Sequence, residues 1–276
     1  MKVAALQMVS GVRLEPNLAT AAALLEEAAG QGAELALLPE HFAMLGHRDT
    51  DKFAIAEPFA GSGAQTAQAG PIQRFLAGAA QQHGLWLVAG SVPLATEDPA
   101  RVSNTTLVYA PSGACVARYD KIHLFHFDNG RERYDEAQVL QRGDTPVAFD
   151  CVARDGQRWR VGLSICYDLR FPELYRALGA DLLLVPSAFT ATTGQAHWEV
   201  LLRARAIENQ AYVLAAAQGG VHENGRRTWG HSLLASPWGE VLALRETGTG
   251  VAAGLCDAAQ LRQVRQQLPA LAHRVL

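Results

Sequence analysis

The sequence predicts an α/β protein, a four-layer α-β-β-α sandwich. Two mixed sheets lie face to face with helices outside, in a single domain over residues 1–276. Three observations carry that expectation. Strand-helix-strand runs occur near the N-terminus and again after residue 160, a pattern that asks for parallel pairing. Hairpin signatures between and after them ask for antiparallel pairing. No linker or low-complexity tract divides the chain, and 49% of its 276 residues are hydrophobic, enough to bury one large core.

Taken in order, MKVAALQMVSG has one lysine and a short apolar stretch broken by Gln7. It lacks the apolar length and cleavage site of a signal peptide and reads as a first strand, 3–8. Residues 16–29 form an alanine-rich helix opened by Pro16 and closed by Gly30. A short buried strand, 35–38, stops at Pro39-Glu40, and 41–70 is loop-like. Pro71 opens a helix to about His83, followed by the strand LWLVAGS at 85–91.

NTTLVYA (104–110) and CVARYDKI (115–122), joined by Pro111-Ser112-Gly113, make one hairpin. After a polar loop, VAFDCVA and RWRVGLSI around Arg154-Asp155-Gly156-Gln157 make another. Next come a helix from Pro172, a strand at 181–187, a helix at 197–210 and a strand at 211–217. HSLLAS, a turn at Pro237-Trp238-Gly239, EVLALR, GVAAGLCD and a polar helix from about Ala258 complete the chain.

Composition excludes several functions. A formal charge of -3, with scattered arginines, offers no basic field for nucleic acid. No run approaches the length of a membrane span. The cysteines Cys115, Cys151, Cys166 and Cys256 lie far apart, with no CxxC and no zinc spacing, which fits reduced thiols in the cytoplasm. There is no HExxH, so no metal is expected. The glycine-rich GSGAQTAQAG (61–70) follows no apolar strand, and Thr66 stands where a third glycine should be. It is expected to be a flexible rim near the active site, not a nucleotide loop.

Candidate chemistry centres on RVGLSICYDLRFPELYR, 160–176, where an apolar strand hands over to a helix start at Cys166. In open α/β sheets that is the usual ligand crevice, although most free cysteines are small buried hydrophobes. Glu40 likewise follows a buried strand, and Lys121 ends a hairpin strand between apolar residues. Their plainer readings are an exposed loop acid and a lysine with its ammonium in water. His123 and His126, three apart in an extended segment, point to opposite faces. His222 and His231 flank a glycine-rich loop and suit either surface or core. Trp198 suits core or interface, and Arg203 and Arg205 face differently on one helix.

LLPEHF around Glu40, YDKIHLF around Lys121 and SICYDLRFPELYR around Cys166 resemble the three signature segments of the nitrilase superfamily of carbon-nitrogen hydrolases. The order agrees, and the likeness runs from Val3 to beyond Trp238. The resemblance implies a Glu40-Lys121-Cys166 triad, with Glu136 as the family's second glutamate, orienting Lys121 or the attacking water. In that chemistry Glu40 takes the thiol proton and later gives one to the departing nitrogen, provided its site raises its proton affinity. Lys121 and the Tyr167 backbone N–H hold the oxyanion. The helix after Cys166 is expected to favour thiolate, while Asp168 caps that helix or anchors a neighbouring loop. No cofactor is needed.

Cys-Tyr-Asp after the strand resembles the amidases, whereas true nitrilases more often carry Trp-Glu there. Residues 186–220 and 230–239 resemble two sister branches, deaminated glutathione amidase and omega-amidase. AFT at 188–190, AAAQ at 215–218 and Trp229-Gly230-His231 are closer to the first. His126 departs from the acid common in relatives, which bears on the pocket mouth. The implied reaction is hydrolysis of a small 2-oxo acid amide through a cysteine thioester, with Arg170 and Thr190 receiving the acid group. An ion pair of Arg170 with Asp168 or Glu173 is its competing role. Rivals are an omega-amidase acting on 2-oxoglutaramate, a hydrolase of other carboxylate-bearing aliphatic amides or N-carbamoyl compounds, acyl transfer to an amine, and a catalytically silent binding member. The silent member would lose a triad residue, and none is lost. The resemblance also implies a homodimer or larger even assembly.

Overall fold

The computed structural model describes residues 1–63 and 69–275. In chain order, β1 (Lys2–Gln7), α1 (Leu14–Gly30) and β2 (Leu35–Leu37) lead through a 3-10 turn (Asp49–Ile55) to α2 (Pro71–His83) and β3 (Trp86–Val88). β4 (Val92–Ala95), β5 (Val102–Tyr109) and β6 (Cys115–Asp120) follow, then β7 (His126–Asp128), β8 (Arg133–Asp135) and β9 (Leu140–Gln141). The second half holds β10 (Ala148–Val152), β11 (Arg158–Leu163), α3 (Pro172–Leu178), β12 (Leu182–Ser187), α4 (Ala191–Asn209) and β13 (Tyr212–Ala217). It ends with β14 (Gly219–Val221), β15 (Arg227–Trp229), β16 (Ser232–Ala235), β17 (Val241–Arg245), β18 (Gly250–Leu255) and α5 (Ala258–Gln267).

Among the described residues, one sheet runs β18-β1-β2-β3-β5-β4 with β6 and β9 also on β5; the other runs β10-β11-β12-β13-β16-β17. Both are mixed, as the sequence predicts. β1 is parallel to β2 and antiparallel to β18, while β12 is parallel to both its neighbours and β13 antiparallel to β16.

The period of two in β1 explains the layering. Val3 and Ala5 point into a core shared with Val161, Leu163 and Val213 of the second sheet. Ala4 and Leu6 point the other way, into a core built with Leu24 and Leu25 of α1 and Leu76 of α2. α3 and α4 cover the far face of the second sheet. Its central strands β12 and β13 are buried throughout, so they read as continuous apolar runs rather than alternating ones.

Four details differ from the sequence reading. α1 starts at Leu14, ahead of Pro16; first-turn N–H groups have no helical partner, so proline costs little there. α4 starts at Ala191 rather than 197, because the Thr190 hydroxyl accepts from the Thr193 N–H and caps it. The polar loop after β6 contains the β7–β8 hairpin. β18 returns across the chain to pair with β1, Lys2 opposite Leu255. Of the glycine-rich segment 61–70, residues 64–68 lie outside the described residues. No described helix is long and apolar enough to cross a membrane.

Candidate active site

Cys166 sits three residues past the end of β11 and opens a 3-10 turn, Cys166–Arg170, ahead of α3. Its φ is +50°, a left-handed conformation that a non-glycine residue adopts only where its surroundings enforce it. The enforcement comes from Asp168, which is fully buried. Its Oδ2 accepts from the Ile165 N–H (2.8 Å) and the Tyr119 hydroxyl (2.6 Å), and its Oδ1 accepts from the His123 N–H (3.0 Å), with His123 Nδ1 at 2.7 Å. Asp168 thus ties the nucleophile turn to the loop after β6. From the other side Arg205 donates twice to the Leu169 carbonyl (3.0 and 2.7 Å). The helix expected from Pro172 does start there, and this five-residue turn stands between it and the sulfur.

Glu40 follows β2 at the same edge and is 2% exposed. The chain approaches so closely there that a Cβ on Gly90 would lie 2.1 Å from the Pro39 carbonyl oxygen, so only glycine fits, at φ +58°. Glu40 Oε1 accepts from Lys121 Nζ and Asn104 Nδ2, both at 2.9 Å, and Oε2 accepts from the Ala188 N–H at 2.9 Å. The Cys166 thiol lines the same pocket as this carboxylate. Lys121, 1% exposed, is shared with Glu136, whose Oε1 and Oε2 lie 2.9 and 2.8 Å from Nζ. Glu136 in turn accepts from the Phe125 N–H at 2.7 Å, which closes the loop over the lysine.

Electrostatics fix the resting protonation. Burial alone would push the Glu40 carboxyl up, but the Lys121 ammonium outweighs it and holds the group down to about 2. Burial, then the Glu40 charge, push the Cys166 thiol well above its ordinary range. Burial works against the Lys121 ammonium, yet Glu136 and Glu40 together push it up. At neutral pH the cluster is therefore thiol, carboxylate and ammonium. This corrects two expectations, a Glu40 of raised proton affinity and a thiolate at rest. The correction follows from having both charged partners buried within 3 Å of each other.

The thiol opens into a pocket of about 340 Å³, counted to its mouth, with Phe125, Tyr167, Phe189 and Thr190 among its walls. Arg170 also lines it, its guanidinium 5.7 Å from the Tyr167 ring centroid and 5.4 Å from that of Phe189. Its Nη1 is 3.3 Å from His197 Nδ1, and no described carboxylate lies within 4.0 Å. The ion pair with Asp168 or Glu173 is therefore not formed. Thr190 lies on the wall with its hydroxyl 2.9 Å from that of Thr193. The Tyr167 N–H, in the first turn after the sulfur, has no partner within that turn.

Other candidates lie elsewhere. His126 is exposed with Asp135 at 3.8 Å, away from the pocket lining, so it does not shape the mouth. His222 is buried between the Ser10 carbonyl and the Thr228 hydroxyl, and Trp198 is core, bonded to the His231 carbonyl. Arg203 is turned to the surface. Glu40, His41 and Glu136 offer donor atoms within 4.8 Å of one another, but the Lys121 ammonium already stands between the two carboxylates where a cation would sit. Sequence reasoning missed Asn104, the Ala188 N–H, His41 and Arg226. A lone asparagine at the head of a buried strand was a usable signal for Asn104; main-chain donors and the turn residue Arg226 gave none.

A carboxylate, an ammonium and the Tyr167 N–H around a thiol supply a proton acceptor and an oxyanion-binding site without further groups. Comparison with known proteins agrees with that chemistry. The family model described as carbon-nitrogen hydrolase matches residues 2–266. A deaminated glutathione amidase of Synechocystis sp. is 44% identical over 99% of this chain and 97% of its own length. The omega-amidase of Homo sapiens is 38% identical over 92% of this chain and 87% of its own. The crystal structure of the C. elegans NitFhit protein superposes with a TM-score of 0.86 at 36% identity, covering 99% of this chain; the chain spans 65% of that longer protein.

Proposed function

The chain belongs to the carbon-nitrogen hydrolase family, and we propose that it cleaves the amide bond of a small 2-oxo acid through a thioester on Cys166. One observation carries the reading: the Glu40 carboxylate and the Cys166 thiol line one pocket, the buried Lys121 ammonium lies 2.9 Å from that carboxylate, and the pocket wall bears Arg170 with no described carboxylate within 4.0 Å.

Cys166 Sγ attacks the amide carbonyl while its proton passes to Glu40. The carbonyl oxygen gains negative charge and is held by Lys121 Nζ and the Tyr167 N–H. Glu40 then gives the proton to the amide nitrogen, the C–N bond breaks, and the amine leaves a thioester. Water next loses a proton to Glu40 and adds to the thioester; the C–S bond breaks and the proton returns to sulfur. Because the resting thiol is un-ionised, proton transfer and attack are coupled, and Glu40 is a carboxylate ready to accept. Glu136 is a positioning residue that holds Lys121 toward the reacting oxygen.

Arg170, with Thr190 beside it, takes the carboxylate and oxo group of the acyl part. The identity to the cyanobacterial relative favours deaminated glutathione, glutathione with an oxo group in place of its α-amino group, as substrate. The test offers deaminated glutathione and 2-oxoglutaramate separately and measures released cysteinylglycine and ammonia. A larger kcat/KM for deaminated glutathione is expected; a much larger one for 2-oxoglutaramate moves the chain to the omega-amidase branch. Cys166→Ala abolishes turnover of both, and surviving activity would refute the nucleophile.

Two copies pair in this reading. Val200 and Ile207 on α4 and the nearby Trp238 leave apolar surface exposed, as a partner face would. A single-chain mass by sedimentation equilibrium removes that proposal. A nucleophilic thiol suits the reducing cytoplasm, which cell fractionation checks.

A further inference from the structure

A second concavity opens beside the reaction pocket. It holds about 870 Å³ against about 340 Å³ for the pocket, both counted to the open mouth. Arg48, Arg133, Arg226 and Arg227 line it, against two acids, Asp49 and Glu132. Both acids are already engaged: Asp49 lies 3.9 Å from Lys52, and Glu132 accepts from the Thr192 hydroxyl. Among the described residues, no carboxylate oxygen comes within 4.0 Å of the guanidinium groups of Arg48, Arg226 or Arg227. A chain of formal charge -3 thus concentrates unpaired positive charge at one basin.

Arg226 joins the two spaces. It lines the pocket, the basin and a third concavity that shares His41 with the pocket and Arg48 and Asp49 with the basin, and where Lys52 also stands. Its guanidinium carbon lies 4.8 Å from the centroid of the Tyr134 ring, and its Nε is buried with no acceptor. Stacking fixes the plane of the group without using its donors. A buried donor left unpaired is costly, and an oxygen-bearing ligand reaching from one space toward the other past Arg226 would relieve it.

We propose that the basin is the leaving-group subsite, and that it selects amines carrying a carboxylate of their own, as a dipeptide does. The proposal rests on the amidase reading of the neighbouring pocket and deepens it. A dipeptide extends about 7 Å from the scissile nitrogen. Since Arg226 borders both spaces, that length carries the terminal carboxylate past it toward Arg48 and Arg227. Arg226 takes an oxygen of the departing chain, and the rim arginines take the carboxylate. The acyl half is recognised separately by Arg170, so the two ends of a doubly anionic substrate meet two different cationic groups.

The experiment uses three substrates with one acyl group: 2-oxoglutaramate, deaminated glutathione, and deaminated glutathione amidated at its glycine carboxyl. In the wild-type enzyme amidation should lower kcat/KM about tenfold, and about 0.5 M salt should erode the difference, since the rim is exposed and screened. In Arg226→Gln, and separately in the double variant Arg48→Gln/Arg227→Gln, the ratio of kcat/KM for the free acid to that for its amide should fall to near one. The double variant changes only exposed side chains, so folding does not confound it. A ratio near one in the wild type, or an undiminished ratio in both variants, overturns the subsite. A wild type that hydrolyses 2-oxoglutaramate and neither longer substrate also overturns it, while the amidase reading stands. A wild type inert toward all three overturns the amidase reading and the subsite with it.

Discussion

The floor and the walls of the reaction pocket treat charge in opposite ways. On the floor every charge is paired: Lys121 has Glu40 at 2.9 Å and Glu136 at 2.8 Å, and Glu40 also accepts from Asn104 and the Ala188 N–H. On the walls, Arg170 and Arg226 have no described carboxylate within reach and are held by aromatic faces instead. Paired, buried charges stabilise one another and set proton affinities, so the floor suits bond making and breaking. Unpaired cations stacked on rings are committed to nothing inside the protein, so the walls suit an anionic ligand. The difference separates reaction from recognition within one cavity.

The largest break in that comparison comes from removing the charge of Glu40. In Glu40→Gln the side chain cannot take the thiol proton, and kcat/KM should fall roughly a thousandfold toward either 2-oxo acid amide. The same change removes the anion that raises the thiol's proton affinity. Iodoacetamide should therefore alkylate Cys166 at lower pH in the variant than in the wild type, even though turnover is lost. Faster alkylation with slower hydrolysis separates a lost base from a damaged pocket. Alkylation and hydrolysis falling together would contradict the assignment.

Acid attacks the floor from a second direction. The folded Glu40 carboxyl sits at about 2 against 4.5, and burial with neighbouring cations pushes His41 down to about 3 against 6.5. For both groups the unfolded chain binds the proton first, so stability is complete above about pH 6.5 and declines as pH falls toward 3 and then 2. The Glu40 shift alone corresponds to roughly 3 kcal/mol by the bottom of that range. Urea midpoints at pH 7.5, 5.5 and 4.5 should fall in that order. His41→Asn should flatten the step between pH 7.5 and 5.5, since it removes the group that begins to titrate there.

The floor was more legible in the sequence than the walls, for a physical reason. Glu40, Lys121 and Cys166 each end a strand, and strand ends can be read from apolar runs that stop at a charge or a proline. Their convergence follows once two sheets face each other, as the layered pattern implied. The protonation order was not legible, because it depends on distances across the sheets: Glu40 looked like a base of raised proton affinity until Lys121 stood 2.9 Å from it. Asp168 was read as a cap or a loop anchor, and it is both: it accepts from the Ile165 N–H at the start of the turn, while its bonds to Tyr119 and His123 cross 49 and 45 residues. Arg226 follows Asn224-Gly225 in a turn and looks like any surface arginine; only the ring of Tyr134, brought in by the β7–β8 hairpin, gives it a place at the pocket.

The walls give the smallest effect and the sharpest discrimination. Arg170 is partly buried and its partners are two aromatic faces and His197. A hydrogen-bonded carboxylate there contributes about 2 kcal/mol, so Arg170→Gln should cost roughly thirtyfold in kcat/KM for an amide bearing a 2-oxo acid group. The loss should appear in KM more than in kcat, because the interaction is made with the acyl end in ground state and transition state alike. A neutral aliphatic amide of similar length lacks the carboxylate and should lose little. Arg170→Lys keeps the charge but not the flat, two-pronged donor set that lies against Tyr167 and Phe189, so it should recover only part of the loss. If both amides fell equally in Arg170→Gln, the residue would be supporting the nucleophile turn, whose last position it occupies, and the division between floor and wall would not hold there.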